Sequence, residues 1–544
     1  MKKTRKIIAL LLICIMVAAI AACGGGGSET QTDSPGSADT GGDVGGQGGS
    51  TPDNSGGGGG GGADAVPVTP DRVLNIRSMQ DSGTLYPLAI TGGFISVQYA
   101  WYEPLFDTRV DGSRRWVLAT GLDQVSELQY TLTIREGVTF SNGNPLTAED
   151  VMFSMELCAA NPQFALNVKV VDFEKTKVTG DYTIDLWYTE FNASQEPGFA
   201  SLLIVDKESH DEAALASNPI GTGPYVVEEY MVNSHLTVRA RDDYWDGEVP
   251  IKNIRFNVIN ENAQVVNALE TGEIDLATIA ITDADYVEML GYDVNIFSGG
   301  YNLVTMFNLT PGNPLESKEA RWAVAMAIDR QGIADILFRG RSTVTDYPGS
   351  HYMIDFEQRF LNLNETYSVG HNPARARELA EQSGLVGKTL RLITNGSTDF
   401  NTAAEIIQGN LLEIGVNVDI INYDQATYFP TLMDASNFEI AIFNPAAPSM
   451  MAVDVLGMYL TFIPLGWSGP DRDQYGALSM GALTTADPRA RQDLLFDAIE
   501  MFVDYAPWYG LCEAVVARTQ SADLGGVDYM IAGGVFYQDM YWKN

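Results

Sequence analysis

The chain has 544 residues, with 33 Lys and Arg against 70 Asp and Glu, a formal charge of −37 and a pI near 4.3. That excess of acid excludes a nucleic-acid-binding protein, which needs clustered Lys and Arg to displace counterions from a phosphate backbone. Hydrophobic residues at 45% and aromatics at 10% supply a large core, and the length calls for more than one lobe, because single cores stop growing at roughly 250–300 residues.

Glycine is unevenly spread, with 18 of the 54 inside the 39 residues Gly24–Gly62. Before them, Lys2, Lys3, Arg5 and Lys6 precede an apolar run from Ile7 to Ala22, too short for a comfortable membrane span of ~20 residues. Residues 1–22 read as a secretory signal peptide. Small residues from Ala19 lead into Cys23, and this junction resembles the bacterial lipobox, whose cysteine is lipidated and becomes the mature N-terminus. The expectation is an anchor at Cys23 and a protein held on a membrane without spanning it. From 23 to 70 the sequence is dominated by Gly, Ser, Thr, Pro and Asp, with no Lys or Arg before Arg72. It lacks apolar surface to offset ordering entropy and is expected to be a tether spanning roughly 35 Å. A phosphate-binding glycine loop does not fit, since no Lys-Ser or Lys-Thr pair follows and no strand precedes. Removal of residues 1–22 takes away four positive charges and no negative one, so the exported part carries −41. It keeps Cys23, Cys158 and Cys512, too few for a disulfide framework.

The body reads as α/β. Thr147-x-x-Asp150 is a capping-box-like start to a helix carrying Val151, Met155 and Cys158 on one face, which makes Cys158 a core thiol. Thr389–Thr394, Thr402–Glu413 and Val416–Ile420 form a strand, a helix stopped by Gly415, and a strand; such a unit predicts a right-handed crossover and locally parallel pairing. A late helix opens at Asp487-Pro488, faces Leu494, Leu495, Ala498, Ile499 and Phe502 inward, and ends before Pro507.

Motifs for catalysis or metal binding do not emerge. His210, His235, His351 and His371 are isolated and lack metal-ligand spacing. Gly466-Trp467-Ser468-Gly469-Pro470 misses the last glycine of a nucleophile elbow, and Gly221-Thr222-Gly223 is followed by Pro224 and by Val226 where a dinucleotide fingerprint needs glycine. Acidic pairs are too common here to argue for glycoside hydrolysis. No catalytic residue, metal or cofactor is expected.

Four stretches carry a resemblance. Tyr102-Glu103-Pro104-Leu105-Phe106 is followed by LQYTLTIREGVTFSNGNPLTAEDVMFS at Leu128–Ser154. PIGTGPY at Pro219 continues through DYWDG at Asp243–Gly247 to LETGEID at Leu269–Asp275. RWAVAMAIDR spans Arg321–Arg330, and HNPARARELAEQSG spans His371–Gly384. In this order they resemble family 5 of the bacterial extracellular solute-binding proteins, the peptide and nickel receptors of ABC importers, over most of residues 71–510. Their glycines, capped helices and small alanines have mainly structural work: Gly221 and Gly223 permit a tight turn, Gly272 ends a helix, and Asp329-Arg330 closes one.

The resemblance implies a two-lobed periplasmic-binding-protein-like fold with a ligand cleft between the lobes and two hinge crossovers. Lobe I would take 71–300, including an inserted subdomain at about 97–214; lobe II would take 301–504; and 505–544 would return to lobe I. Hinges are expected at Ser298, Gly299 and Gly300 and at Ala506 and Pro507. The implied function is capture of a peptide or peptide-like solute and delivery to ABC permease subunits with their ATPases, by a monomer anchored through lipid. Rival readings are the same fold with an oligosaccharide or other non-peptide solute, a surface-anchored hydrolase, and a sensor or adhesion module. Peptide-binding relatives place an aspartate just after the strand corresponding to Phe438–Phe443; here Phe443-Asn444-Pro445-Ala446-Ala447-Pro448 follows, and the next acid is Asp454. Candidate cleft walls are Tyr86, Phe94, Trp101, Tyr301, Phe443 and Trp467, whose rings offer contact area, with Asn444 to fix orientation.

Overall fold

The computed structural model describes residues 72–90, 96–109, 113–345, 347, 349–363, 370–435, 437–445, 450–461, 466–530 and 534–543. Residues 1–70 with Cys23, the candidate Phe94 and the stretch Ala446–Pro448 lie outside them. A ten-stranded sheet runs through the body in the order Asn417–Asn422, Thr389–Thr394, Ile440–Phe443, Tyr292–Phe307, Trp508–Ser521, Leu276–Ile279, Val73–Ser78, Asn253–Val258, His235–Ala240, Tyr225–Met231. Its centre is an antiparallel pair, the outgoing strand Tyr292–Phe307 and the return strand Trp508–Ser521. On one side of that pair lies mixed pairing with Val73–Ser78 parallel to both neighbours; on the other, Thr389–Thr394 runs parallel to Asn417–Asn422 and Ile440–Phe443. The strand-helix-strand unit is therefore present, its helix spanning Thr398–Glu413.

The apolar cores divide where the two long strands change neighbours. One core gathers buried residues from Leu303 to Ala514, whereas three others draw on Leu74–Trp542, Leu105–Phe536 and Val265–Ala517. The first is lobe II and the other three are lobe I. Within lobe I, an antiparallel sheet in the order Ala119–Gln124, Gln129–Ile134, Thr183–Trp187, Lys177–Gly180 is backed by the helix Ala148–Ala160. That helix begins as its sequence demands: the Thr147 amide donates to the Asp150 carboxylate at 2.8 Å, and Val151, Met155 and Cys158 are buried. Burial pushes the Cys158 thiol up to about 12, in keeping with a core thiol.

The chain corrects two expected boundaries. Trp508, Tyr509, Leu511, Cys512 and Ala514 pack in the lobe II core, so the return to lobe I begins near Val515, not at 505. Ala506 is the left-handed cap of the helix Pro488–Tyr505 and the Pro507 carbonyl accepts from the Phe307 amide at 3.0 Å, which puts both inside lobe II. Asp329 likewise opens a helix instead of closing one: its carboxylate accepts from the Gly332 amide at 3.0 Å at the start of Arg330–Phe338.

Buried polar braces join distant signature segments. Glu103 is 1% exposed and accepts from Tyr244 Oη at 2.6 Å and Trp245 Nε1 at 3.0 Å, joining the YEPLF and DYWDG stretches. Arg241 donates to the carbonyls of Thr139, Phe140, Thr222 and Gly223. Beside it the Gly-Thr-Gly turn lies flush on Trp101: a Cβ at Gly221 would overlap the Trp101 carbonyl oxygen and one at Gly223 would stand 2.6 Å from its carbonyl carbon. In lobe II, Arg321 is fully buried and binds the carbonyls of Leu315, Glu316 and Tyr505, while Arg330 binds those of Thr345 and Gly510.

Two predictions follow from these braces. Gly221→Ala forces Trp101 aside and is expected to cost about 1–3 kcal/mol, read as a lowered urea midpoint at unchanged slope. Desolvation raises the Glu103 carboxyl from 4.5 to about 7, opposed by its bonds to Tyr244 and Trp245. The native state therefore holds a proton that the unfolded chain releases, so this contribution is complete below about pH 4.5 and lost as pH rises through about 7. Its size is up to about 3 kcal/mol. Between pH 5 and pH 8, stability of Glu103→Gln is expected to fall less steeply than that of the wild type in denaturant titrations; parallel slopes would refute the assignment.

Candidate functional site: the interlobe cleft

The outgoing and return strands do not pair uniformly. Ser298 faces Val515 and Asn302 faces Glu513, so Gly299, Gly300 and Tyr301 stand against Ala514 alone. Such an excess breaks the ladder and bends the strand. Gly300 meets the bend with φ of +77°, a region glycine enters without strain. The expected first hinge thus coincides with an irregularity in the backbone, and the opposing strand crosses at Glu513–Val515.

A carboxylate sits at this break. Glu513 is 2% exposed; it accepts from Ser298 Oγ at 2.8 Å and from Ser350 Oγ, and His351 Nε2 lies 2.8 Å away. Next to it, the Asn302 amide donates to Thr345 Oγ1 at 2.9 Å and to the Tyr347 carbonyl at 3.1 Å. The bend is thereby tied to the loop 349–352 of lobe II. A buried carboxylate with several donors is costly to break, because removing them leaves charge without compensation.

Beside the break is a cleft of about 100 Å³. Lobe I contributes Phe297, Arg518 and Met530, lobe II contributes Tyr352 and Met450, and Ser298 and Gly300 lie between. Met450 holds φ of +53°, and its thioether occupies the space where a Cβ of Gly300 would stand. The Arg518 guanidinium lies 5.0 Å from the Tyr529 ring centre, and Tyr529 packs in turn on Phe297 at 4.9 Å.

The lobes also meet elsewhere. In the inserted subdomain, the Ala193 amide donates to the Leu483 carbonyl of lobe II at 2.9 Å, and Ser194 Oγ lies 3.2 Å from Asp454 Oδ1. Lys169 Nζ donates to the same hydroxyl at 2.9 Å, and the Arg491 guanidinium lies 5.8 Å from the Phe191 ring centre. Asp454, the first acid after Phe443, is thus engaged in a contact between lobes. Arg341 adds a surface pairing to Asp285 and Glu288.

Of the expected wall residues, Trp101 is 1% exposed in the lobe I core, and Phe443 and Trp467 belong to a lobe II aromatic cluster with Tyr459, Phe502 and Trp508. Tyr86 is buried against His210, its hydroxyl 3.2 Å from Nε2. None of these four rings lines the interlobe cleft; large aromatics are taken up by core packing first. Tyr301 and Asn444 are half-buried, Tyr301 within the bend and Asn444 one residue past the strand Ile440–Phe443. Sequence reasoning missed Glu513, Arg518, Tyr352, Met450, Ser350 and His351. Only Glu513 left a signal: it is the one charged residue between Trp508 and Ala517. Among the described residues no cluster of His, Cys, Asp and Glu has metal-holding geometry, and no helix is long and apolar enough to cross a membrane.

Two α/β lobes joined by a pair of strands, with a cleft at their junction, define a solute-binding protein of the periplasmic type. The chain belongs to the bacterial extracellular solute-binding proteins, family 5, whose model matches residues 117–462, more than half of the sequence. It is 23% identical over 359 residues to the nickel-binding protein NikA of Staphylococcus aureus, covering 64% of this chain and 70% of the relative. It is 23% identical over 519 residues to the oligopeptide-binding protein OppA of Bacillus subtilis, covering 86% and 92%. The crystal structure of the ABC transporter substrate-binding protein CtaP of Listeria monocytogenes superposes with a TM-score of 0.77 at 23% identity, over 87% of this chain and 99% of that one. Family membership makes this an extracytoplasmic binding protein of transport.

If the subdomain contact holds the lobes together, Asp454→Ala with Arg491→Ala removes two contacts worth about 1–2 kcal/mol together. The lobe-open population is expected to rise roughly five- to thirtyfold by the same conversion, measured as the interlobe distance distribution between fluorescent labels. An unchanged distribution would count against it.

Proposed function

We propose that this chain is the substrate-binding lipoprotein of an ABC importer, anchored through Cys23 by the tether 23–70, which captures a peptide or peptide-like solute between its lobes and delivers it to permease subunits. The observation that carries the reading is the break at Gly299–Tyr301 beside a cleft shared by both lobes. At about 100 Å³ that cleft is smaller than the ~300–1,000 Å³ of typical ligand sites. Admitting a solute therefore requires movement of one lobe against the other, and the irregular segment is where the chain bends at least cost. Ser298, Gly299 and Gly300 serve as the hinge, with Tyr301 and Asn444 as wall residues that become accessible on opening. Similarity to the oligopeptide-binding OppA over most of the chain supports a peptide as cargo.

The test is native mass spectrometry and thermal shift on the detergent-solubilised full chain against short-peptide and oligosaccharide libraries. Selective peptide capture without turnover is expected. Capture of sugars alone would replace the cargo, and cleavage of a bound peptide would replace the transport reading with a hydrolase.

A further inference from the structure

The carboxylate buried at the break depends on an imidazole for its counter-charge. Glu513 is 2% exposed, and among the described residues His351 is its one ion-pair partner, with Nε2 2.8 Å from Oε2. Ser298 Oγ donates to Oε1 at 2.8 Å, and Ser350 Oγ donates to the same oxygen. The Ser298 hydroxyl also stands 3.1 Å from Ser350 Oγ and accepts from the Gly300 amide at 3.0 Å. One carboxylate thus gathers the last lobe I residue before the break, the glycine inside it and the loop of lobe II. The imidazole stacks on Tyr352 at 4.9 Å, which lines the cleft. Facing an acceptor, the neutral ring keeps its proton on Nε2. Nδ1, buried and without a hydrogen-bond partner among the described residues, is where a second proton adds. Imidazole is the side chain that ordinarily gains or loses that proton between about pH 5 and pH 8.

We propose that His351 and Glu513 form a pH-sensitive latch on the hinge, fastened in acid and released as pH rises. The inference rests on the receptor reading, which makes opening of the lobes the regulated step. With its second proton, His351 compensates Glu513, and the carboxylate stays dry with Ser298 and Ser350 bound to it. Without that proton a buried charge is left with neutral donors alone, which is costly. Turning Ser298 away and admitting water relieves the cost, so the deprotonated latch favours open lobes. The charged groups around the cluster are Arg330, Asp355 and Asp399, with Arg518 lining the cleft. Arginines stay charged throughout this range. Burial pushes the Cys512 thiol up to about 12 and the Tyr347 phenol well above its usual range, so both stay neutral. Asp355, raised by burial to about 6, accepts from the Ala452 and Val453 amides and not from the latch; it and Asp399 serve as controls.

The test uses the detergent-solubilised full chain without solute, as wild type, His351→Gln, Glu513→Gln, Asp355→Asn and Asp399→Asn. Fluorescent labels, one on each lobe, read the interlobe distance distribution between about pH 5 and pH 8. The open fraction of the wild type is expected to rise about fivefold or more across that range. His351→Gln, neutral at every pH, should hold the open fraction that the wild type reaches at the alkaline end, and Glu513→Gln should lose the pH dependence. Both aspartate variants should keep it, with melting temperatures confirming that each protein is folded. A flat wild-type response, a wild-type response retained by folded His351→Gln or Glu513→Gln, or a response that vanishes in either aspartate variant would overturn the inference. The same labels read closure on adding the peptide library, so the receptor reading stands or falls separately.

Discussion

The antiparallel pairing of Tyr292–Phe307 with Trp508–Ser521 is the constraint on which the molecule depends. Lobe I lies on one stretch of this ladder, from Tyr292 to Ser298 opposite Val515 to Ser521, and lobe II on the other, from Asn302 to Met306 opposite Trp508 to Glu513. A continuous sheet across two lobes would ordinarily be stiff, because a one-residue slip exchanges every buried side chain with an exposed one. The three-against-one mismatch at Gly299–Tyr301 interrupts the ladder between the lobes, and a second shift follows in lobe II, where Leu303 faces Cys512 and Val304 faces Gly510. The cleft lies beside the break between the lobes because the two cores end there.

The braces around Glu103, Arg241, Arg321 and Arg330 explain why the most recognisable stretches of the sequence are remote from the cleft lining. Each guanidinium binds backbone carbonyls of segments far apart in the chain: Arg241 ties 139–140 to 222–223, and Arg321 ties 315–316 to Tyr505. Side chains that satisfy carbonyls make loops rigid without a second sheet. Substitution of any one leaves several buried acceptors without donors, each costing about 1–3 kcal/mol. These segments therefore carry the fold's identity.

That division sets what was legible. The capping box at Thr147, the helix from Pro488 and the parallel unit of Thr389–Thr394 with Asn417–Asn422 could be read because local chemistry and period decide them. The irregularity at Ser298–Gly300 could be read because adjacent glycines within an otherwise strand-like run are hard to place elsewhere. The return crossing could not: nothing in Gly510-Leu511-Cys512-Glu513-Ala514 marks the bulge at Leu511 or the crossing beside it. The aromatic wall was misjudged for a similar reason. Burial in a core and exposure in a cleft draw on the same residue types, and only tertiary packing sends Trp467 against Tyr505 at 4.4 Å and Met450 onto Gly300.

The contacts between the lobes bear on the energetics of capture. The lobes already share the Ser194–Asp454 and Ala193–Leu483 bonds, and Glu513 holds the bend to lobe II through Ser298 and Ser350. Contacts that the lobes make with each other favour closure equally for every solute and so add nothing to selectivity; they set the baseline from which ligand must shift the equilibrium. Only contacts that a solute makes with both lobes at once contribute to the difference between the open and closed forms. Such contacts arise where both lobes line one space, and among the described residues Arg518, Met530, Tyr352 and Met450 line one, away from the aromatic rings that stabilise each lobe by itself.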